Sequence, residues 1–455
     1  MTAIPRGPSA HAGGGGGMAP ERLDRPFSDP LVGRLFPPLA TGVHWGLERT
    51  EHALAALGDP HRAFSTLHVG GTNGKGSVTT TLAAVLDESG LRAGCFTSPH
   101  LCSFRERIVV GGLALSEETL VRRAEEIHEV VLRFGLTFFE AVTVLGFYAF
   151  AREGVDVAVI EVGLGGRLDA TNVIRPLVSA VTNVDLDHAE YLGDTLPKIA
   201  REKAGIVKEG IPFVTAEGSP ELLEIFRAIA AERRAPFHAV DAATWLHDLE
   251  LARDHTSFTL GTRSWGDLRV RTPLVGRHQA SNAALAVEVL EHVPEGLRPT
   301  RDALLRGVAG VVHPGRDQIE VLEGRTWLFD VAHNTAGIHS LVDTVDRLDL
   351  PRPLVALVGV LGDKDWRSML PPLFSRMDSA VLTQPPSAPP ERRWNVGAAR
   401  EAVAGAGVLA VEEDFVAALA QAREAAGPGT VVVTGSCHTV GSALSVLGLE
   451  PLTRP

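Results

Sequence analysis

Short apolar runs alternate with longer amphipathic stretches from residue 64 onward. Runs rich in β-branched residues predict strands, and apolar positions spaced three and four apart predict helices. We predict strands near residues 66–69, 155–161 and 177–184 and helices near residues 78–88, 140–152 and 197–207. This alternation is typical of βαβ units on a largely parallel sheet. The segment 249–271 instead alternates polar and apolar residues between turn signals, and it predicts peripheral antiparallel strands added to the sheet edge.

A second alternating series begins after His313, Pro314 and Gly315. It predicts strands near residues 327–330, 354–360, 380–383 and 430–434. A chain of 455 residues exceeds what one hydrophobic core usually organises. We therefore predict an N-terminal domain over residues 26–314 and a smaller C-terminal α/β domain over residues 315–455, with a ligand cleft between them.

The first 25 residues contain Pro5, Pro8 and a run of five glycines before Met18. This composition predicts a disordered tail over residues 1–25, and it leaves open whether Met1 or Met18 is the true start. A formal charge of -12 argues against a surface that binds nucleic acid. The chain lacks an apolar run of membrane-spanning length and has only three cysteines, so we expect a cytoplasmic monomer that acts on small molecules.

The clearest chemical signal is the sequence GGTNGKGS at residues 70–77, which follows a predicted strand and precedes a predicted helix. Glycines allow backbone N–H groups and a helix N-terminus to converge on phosphate oxygens, while Lys75 adds a positive charge and Ser77 can reach a magnesium ion. The spacing departs from the strict phosphate-loop pattern at Val69 and Gly76. A glycine-rich turn can also serve only to pack a helix closely, but a lysine within it favours nucleotide binding.

Acidic and imidazole groups follow the next predicted strands. Glu161 ends a strand, and Asp185, Asp187 and His188 follow another. Carboxyl ends of parallel strands meet at one edge of a sheet, so these groups are expected near the loop. Glu161 is the first metal-ligand candidate and His188 is the second. A lone histidine is more often a structural residue.

Together these stretches resemble the folylpolyglutamate synthase and dihydrofolate synthase family, relatives of the Mur ligases. The resemblance runs from about residue 42 to residue 441. It rests on HVGGTNGKGS (68–77), TSPHL (97–101), ERI (106–108), TFFE (137–140), EVGLGGRLDATN (161–172), TNVDLDH (182–188), EKAGI (202–206), HQ with Asn282 (278–282), PGR (314–316), DVAHN (330–334) and DKD (363–365).

The resemblance implies an α/β fold: an N-terminal phosphate-loop ATPase domain with a mostly parallel sheet, and a Rossmann-like C-terminal domain with ATP between them. It implies that Lys203 is carboxylated on its side-chain nitrogen and assists one of two Mg²⁺ ions, whereas the neighbouring charges alone predict a solvated helix face. The residues implied to bind the nucleotide are Thr72, Asn73, Gly74, Lys75, Gly76, Ser77, Asn282, Arg316, Asp330 and His333. Those implied to bind metal are Ser77, Ser98, Glu161, His188 and Lys203, and those implied to act in catalysis are Lys75, His188, Lys203 and Arg316.

The expected reaction is ATP-dependent ligation of L-glutamate to a folate, to dihydropteroate or to both, through an acyl phosphate and with release of ADP and phosphate. Phe138, Phe139, Glu140 and Asp169 are the predicted substrate residues, although the aromatic pair fits a core role equally well. Two alternatives remain open at this point. One is a Mur-type ligase of muramyl peptides, and the other is a phosphate-loop kinase or nucleotide-binding protein without ligase activity.

Overall fold

The computed structural model describes residues 29–36, 39, 44–240, 246–403 and 408–452. The predicted tail over residues 1–25, with the candidate start residue Met18, lies outside the described residues. Within the described ranges no helix is long and apolar enough to cross a membrane.

An eight-stranded sheet forms the centre of the N-terminal domain, with the strand order β4-β3-β2-β5-β1-β6-β7-β8. Its strands are β1 Ser65–Gly70, β2 Ala93–Phe96, β3 Ile108–Val110, β4 Leu113–Ala114, β5 Val157–Glu161, β6 Val178–Val181, β7 Phe213–Thr215 and β8 Phe237–Ala239. The six strands from β2 to β8 in this order run parallel, and β3 and β4 add an antiparallel edge. The largely parallel sheet predicted from the sequence is therefore confirmed.

Helices cover both faces of this sheet, which is why β1 and β5 are buried along almost their entire length. The helices are α1 Pro30–Leu35, α2 Glu48–Ala56, α3 Lys75–Glu88, α4 Glu117–Phe134, α5 Phe138–Arg152, α6 Ala189–Leu192, α7 Leu196–Lys203, α8 Pro220–Glu232, α9 Arg277–Glu291 and α10 Arg301–Ala309. Apolar residues of α3 and α9 share one core cluster with β1 and β5, and those of α4 and α5 share a second.

Short 3₁₀ turns occur in both domains. They lie at Pro60–Arg62, Phe104–Arg107, Ala170–Val173, Ala204–Ile206 and Glu295–Leu297 in the N-terminal domain and at Pro390–Arg392 in the C-terminal domain.

The segment predicted to extend the main sheet is organised differently. Strands β9 Leu246–Leu251, β10 Thr256–Thr262 and β11 Gly266–Thr272 form a separate antiparallel sheet of three strands. Phe258 and Val270 of this sheet are fully buried in the core cluster that contains α9. The prediction of antiparallel strands is correct, but their placement at the sheet edge as a peripheral addition is wrong. The apolar face of the hairpin is buried against helices instead.

The C-terminal domain has a six-stranded sheet with the order β12-β13-β17-β14-β15-β16, which is parallel except for β12. Its strands are β12 Gln318–Leu322, β13 Arg325–Phe329, β14 Leu354–Val358, β15 Ser379–Leu382, β16 Val408–Val411 and β17 Thr430–Thr434. Its helices are α11 Thr335–Arg347, α12 Trp366–Phe374, α13 Val396–Ala402, α14 Phe415–Ala426 and α15 Cys437–Val446. The second α/β sheet expected from the sequence is thus present, and β12 and β16 were not predicted.

The carboxyl ends of the two sheets meet across a cleft. Asn73, which follows β1, exchanges side-chain hydrogen bonds with Asn334, which follows β13. Lys364, which follows β14, donates to Asp187, which follows β6. Loops after parallel strands of both domains therefore converge on one place, as ligand sites of such sheets commonly do.

Candidate active site

The glycine-rich loop joins β1 to α3 in the way its sequence predicts. Gly74 caps the helix with a φ of 81°, and a Cβ at this position would overlap the side chain of Asn282. Lys75 begins the helix, and its Nζ donates to the carbonyl oxygens of Gly71 at 3.1 Å and Thr72 at 3.0 Å. Burial lowers the pKa of Lys75, and the nearby charge of Glu161 opposes that shift. The loop therefore holds a partly buried amine beside a helix N-terminus.

Glu161 lies beside this loop because β5 is in register with β1, which pairs Val69 with Glu161. Its side chain is buried, and Oε2 accepts a hydrogen bond from the backbone N–H of Ser98 at 3.1 Å. Burial raises the pKa of Glu161, while the charge of Lys75 acts in the opposite direction. Ser77 is buried in the first turn of α3 and lines the same cavity. An acid and a hydroxyl group, both hard oxygen donors, are thus available at this point.

Lys203 contradicts the solvated helix face that its neighbouring charges predict. Its exposed fraction is only 4%, and its Nζ donates to the carbonyl of Gly71 at 2.8 Å. Burial, together with the charge of Lys75, lowers the pKa of Lys203 to about 7. Helix α7 is amphipathic, and Lys203 lies on its buried side with Ile199. The amine therefore faces the phosphate loop, and the uncharged form makes up about half of it at neutral pH, far more than for an ordinary lysine.

A charged cluster bridges the two domains next to His188. Lys364 Nζ lies 2.6 Å from Asp187 Oδ1, and both side chains are about nine-tenths buried. His333 Nε2 lies 3.4 Å from Asp187 Oδ2. Burial alone would raise the pKa of Asp187, but the hydrogen bond from His333 and the charge of Lys364 hold it well below its usual range. Burial and the charge of Lys364 lower the pKa of His188 to about 3, so its imidazole is neutral and able to coordinate.

The C-terminal wall contributes Arg316 and Asp330. Arg316 Nε donates to His313 Nε2 at 3.2 Å. The two oxygens of Asp330 accept backbone N–H groups of Asp317 at 3.0 Å and Ala332 at 2.8 Å. Burial raises the pKa of Asp330, and the charge of Arg316 counteracts it. Each carboxylate oxygen has a second lone pair, so Asp330 can still accept a hydrogen bond from a hydroxyl group of a ligand.

These groups line one cavity of about 200 Å³ between the domains. All the residues predicted to bind nucleotide or metal lie on its wall: Thr72, Asn73, Gly74, Lys75, Gly76, Ser77, Ser98, Glu161, His188, Lys203, Asn282, Arg316, Asp330 and His333. The structure therefore brings together a set of residues that span 262 positions of the sequence, from 72 to 333.

A second cavity of about 240 Å³ adjoins the first, and Phe138, Phe139, Glu140 and Asp169 all line it. Both carboxylates are engaged within the fold. Glu140 pairs with Arg49 at 2.8 Å and caps α5, and Asp169 accepts a hydrogen bond from the hydroxyl of Thr171 at 2.5 Å. The two aromatic rings also pack against the core of α4 and α5. These two carboxylates therefore shape the wall of the second cavity, and the rings serve both core and wall.

Sequence reasoning did not assign several residues that the structure places at the site. Asp187 and Lys364 form the ion pair between the domains, and Arg392, His438 and Trp45 line the second cavity. Lys364 lies in the DKD stretch at residues 363–365, which was noted only as part of a resemblance. A basic residue flanked by two acids after a predicted strand is a signal that could have identified it.

Comparison with known proteins agrees with this arrangement. Residues 69–290 match the Mur ligase middle domain, and residues 315–437 match the Mur ligase glutamate ligase domain. The chain is 37% identical over 343 residues to the dihydrofolate synthase/folylpolyglutamate synthase of Bacillus subtilis, an alignment covering 73% of this chain and 79% of that protein. It is 33% identical over 427 residues to the folylpolyglutamate synthase of Lacticaseibacillus casei, covering 90% of this chain and 96% of the relative.

Solved structures give the same result. Folylpolyglutamate synthase of Mycobacterium tuberculosis complexed with ADP superposes with a TM-score of 0.82 at 32% identity, covering 92% of this chain and 97% of that one. Escherichia coli FolC in complex with DHPP and ADP superposes with a TM-score of 0.81 at 31% identity, covering 92% of this chain and 98% of that one. With its two matched domains, its phosphate loop and its bridging cleft, the chain belongs to the folylpolyglutamate synthase and dihydrofolate synthase family of the Mur ligases.

Proposed function

We propose that the protein is an ATP-dependent ligase that joins L-glutamate to a folate, to dihydropteroate or to both, through an acyl phosphate. The observation that carries this proposal is the adjacency of two cavities with different linings. One is built around the phosphate loop, and the other is built around Phe138 and Phe139. Ser98, Gly163, His188 and His333 belong to both walls, so a carboxylate held in one cavity can approach a phosphate held in the other.

The first cavity suits ATP. Backbone N–H groups at the start of α3 and the amine of Lys75 suit the phosphate oxygens. Arg316 approaches from the C-terminal domain, and a guanidinium offers paired donors to a phosphate. The relatives in complex with ADP share this fold over more than nine-tenths of the chain. Asn282 and Asp330 lie on the same wall, where an adenine amine and ribose hydroxyls would find polar partners.

The donor set also fits Mg²⁺. Glu161 and Ser77 offer oxygen atoms next to the loop, with Ser98 nearby and His188 as a neutral imidazole. We assign Ser77, Ser98, Glu161, His188 and carboxylated Lys203 as the groups that hold two ions. Bound Mg²⁺ would offset the charge that develops on the phosphate oxygens.

Carboxylation of Lys203 is the finer part of this assignment. Only a neutral amine reacts with carbon dioxide, and a pKa of about 7 makes the amine largely neutral at physiological pH. The product is a carbamate anion, whose oxygens would face the phosphate loop from the position where Nζ now contacts the carbonyl of Gly71. The buried amine would thereby give up a proton and become a hard oxygen ligand.

The reaction proceeds in two steps in this proposal. The substrate carboxylate attacks the γ-phosphorus of ATP, the bond from that phosphorus to the bridging oxygen breaks, and ADP leaves. The amine of glutamate then attacks the acyl carbon, loses a proton, and displaces inorganic phosphate. Lys75 and Arg316 stabilise the charge on the phosphoryl group. Closure of the two domains over the cleft would keep water from the acyl phosphate.

The glutamate has two carboxylates and needs cations beside the junction of the cavities. Lys364 and Arg392 lie on the wall of the second cavity, on the C-terminal side. Arg392 makes a bidentate pair with Asp363 at 2.9 and 2.8 Å, which fixes the orientation of its guanidinium. We therefore place the amino acid against the C-terminal domain and the pterin-bearing substrate against the aromatic wall.

A Mur-type activity on muramyl peptides is less well supported, because the relatives with high coverage carry folate-ligase names. A kinase without ligase activity leaves the second cavity and the C-terminal domain without a role. We further propose that the domains divide near residue 314, and the monomeric state and cytoplasmic location stay predictions.

The test is ATP-dependent phosphate release with glutamate and, in turn, dihydropteroate, tetrahydrofolate and a muramyl nucleotide, with products identified by mass spectrometry. We expect glutamate addition to one or both folate substrates. Lys75→Ala should abolish release while circular dichroism shows an intact fold. Lys198→Ala, a change at an exposed lysine, serves as the matched control. Turnover with the muramyl nucleotide alone, or normal turnover by Lys75→Ala, would contradict the proposal.

A further inference from the structure

A group of metal-ligand side chains lies outside the site described above, at the far end of α9. His238 is on the edge strand β8, Glu288 is on α9, and His292 caps the C-terminus of that helix. One ligand atom from each of the three residues lies within 4.8 Å of the others. Asn282 on the same helix lines the nucleotide cavity, and Glu288 lies six residues beyond it, about 9 Å at 1.5 Å per residue.

The helix and the strand each contribute to the geometry. Glu288 and His292 are four residues apart, so their side chains lie on the same face of α9. The ring of His238 stacks on the ring of His292 with a centroid distance of 3.8 Å. The carboxylate of Glu288 is nine-tenths buried, and the ring of His292 is only slightly more exposed. A buried carboxylate is costly unless a cation or hydrogen bonds offset its charge.

A cation already lies against two of these three groups, Glu288 and His292. Nη2 of Arg263 lies 2.6 Å from Glu288 Oε1 and 2.9 Å from His292 Nε2. His292 Nε2 also lies 2.9 Å from Glu288 Oε1. When Nε2 of His292 carries a proton, it can donate to Glu288, but its N–H also faces the N–H groups of Arg263. When Nε2 carries no proton, its lone pair faces a lone pair of Glu288 Oε1, and Nη2 of Arg263 lies within hydrogen-bond distance of both atoms. The arrangement therefore selects for positive charge at this point.

Arg263 is free to leave, because its side chain is half exposed in the turn between β10 and β11.

We propose that His238, Glu288 and His292 form a binding site for a transition-metal ion of the Zn²⁺ class, for which the guanidinium of Arg263 stands in. Two imidazoles and one carboxylate suit Zn²⁺, Co²⁺ or Ni²⁺ better than Mg²⁺, which prefers oxygen ligands alone. Zinc bonds of about 2.0–2.1 Å place ligand atoms roughly 3.3–3.5 Å apart, so the ligand atoms must move closer by about 1–1.5 Å. The stacked rings of His238 and His292 must also turn apart, so that their nitrogen lone pairs point at one ion. Water would fill the fourth position.

A metal ion bound at this site would cross-link β8, the edge strand of the main sheet, to α9. The beginning of α9 lines the nucleotide cavity. Metal that binds only the folded state raises the temperature of unfolding. The readouts are therefore stoichiometry, affinity and thermal stability, and they do not depend on the ligase activity.

The experiment uses the full chain without a histidine tag, treated with a chelator, in excess Mg²⁺ and ADP to saturate the nucleotide site. Zn²⁺ is counted by equilibrium dialysis, and Co²⁺ is followed by its visible absorption. We expect the wild type to bind one equivalent more Zn²⁺ than His238→Ala. Arg263→Gln should bind about tenfold more tightly or better, because the metal no longer competes with a charge-assisted hydrogen bond. His255→Ala is the control and should match the wild type, because His255 directly precedes β10, the strand that Arg263 follows, and is not one of the three ligands.

Thermal unfolding provides the second measurement. Added Zn²⁺ should raise the unfolding temperature of the wild type and of Arg263→Gln and leave that of His238→Ala unchanged. The proposal is overturned if His238→Ala binds Zn²⁺ with the stoichiometry and affinity of the wild type. It is equally overturned if Arg263→Gln, which retains all three ligands, binds no Zn²⁺ beyond what His238→Ala binds.

Discussion

Replacement of Lys203 by methionine tests whether the buried amine, which the proposed reaction needs, lowers the stability of the fold. Methionine keeps the length of the side chain and removes the charge. The pKa of Lys203 is about 7 in the fold against an ordinary value of 10.5. At pH 7.5 the amine must give up a proton on folding, which costs about 4 kcal/mol at 1.36 kcal/mol per unit. The variant also loses the hydrogen bond from Lys203 to Gly71, which reduces its gain in stability by about 1 kcal/mol.

We therefore expect Lys203→Met to be more stable than the wild type by about 3 kcal/mol at pH 7.5. The stability cost of a lowered lysine pKa is absent when the pH is above the ordinary pKa of lysine. This cost grows as the pH falls toward the pKa of the folded protein. At pH 10 the cost of deprotonation is about 1 kcal/mol, so the stability difference should fall to about zero. The same variant should lose ATP-dependent turnover, because it cannot form the carbamate.

The assay is denaturant unfolding at both pH values in buffer free of carbon dioxide, Mg²⁺ and nucleotide. Lys198→Met on the same helix is the matched control, because Lys198 is exposed and its replacement should change stability at neither pH. Two results would refute the reasoning: a Lys203→Met variant no more stable than the wild type at pH 7.5, or a gain of equal size at both pH values.

Three further changes test the surrounding walls. Gly163→Ala places a Cβ against the ring of Phe139, and overpacking of this kind should raise the KM for the folate substrate about tenfold in steady-state kinetics. The KM for ATP should rise less, because the overlap is with Phe139 on the wall of the second cavity. Arg49→Met leaves the buried carboxylate of Glu140 without its cation. It should lower the free energy of unfolding by about 1–3 kcal/mol. An unchanged midpoint of thermal unfolding would contradict this expectation. Lys364→Met removes one partner of the buried ion pair with Asp187, a change that typically costs about 3–5 kcal/mol of stability. Because this pair joins the two domains, turnover should fall sharply. Near-normal turnover would show that the bridge is dispensable.

The local part of the site follows directly from the sequence. A glycine-rich loop between a strand and a helix needs only short-range chemistry, and the structure places Lys75 at the start of α3 as the pattern predicts. Glu161 could be placed beside that loop because parallel strands align their carboxyl ends, which the pairing of Val69 with Glu161 shows. The three strands and three helices predicted for the first domain and the four strands predicted for the second were likewise readable from the spacing of apolar positions. The strands that the sequence analysis did not identify are β2, β3, β4, β7 and β8 of the first sheet and β12 and β16 of the second.

Other features depended on contacts between distant segments. Lys203 lies 132 residues from Gly71, and nothing in the charges around it reveals that the buried side of α7 faces the phosphate loop. The same holds for the pair of Glu140 with Arg49, 91 residues apart, which shows that this carboxylate is engaged within the fold. The small sheet of β9 to β11 was misplaced because alternation predicts an apolar face but not what covers it.

The sequence by itself determined which chemical groups stand at the ends of the strands, because backbone periodicity fixes where each strand stops. Only the tertiary structure decided which of those groups are buried, paired and shifted in pKa. Burial and pairing depend on how elements from both domains pack across the cleft, as Lys364 and Asp187 do over 177 residues. A desolvated charge is costly without a partner, so packing fixes the protonation state that the chemistry requires.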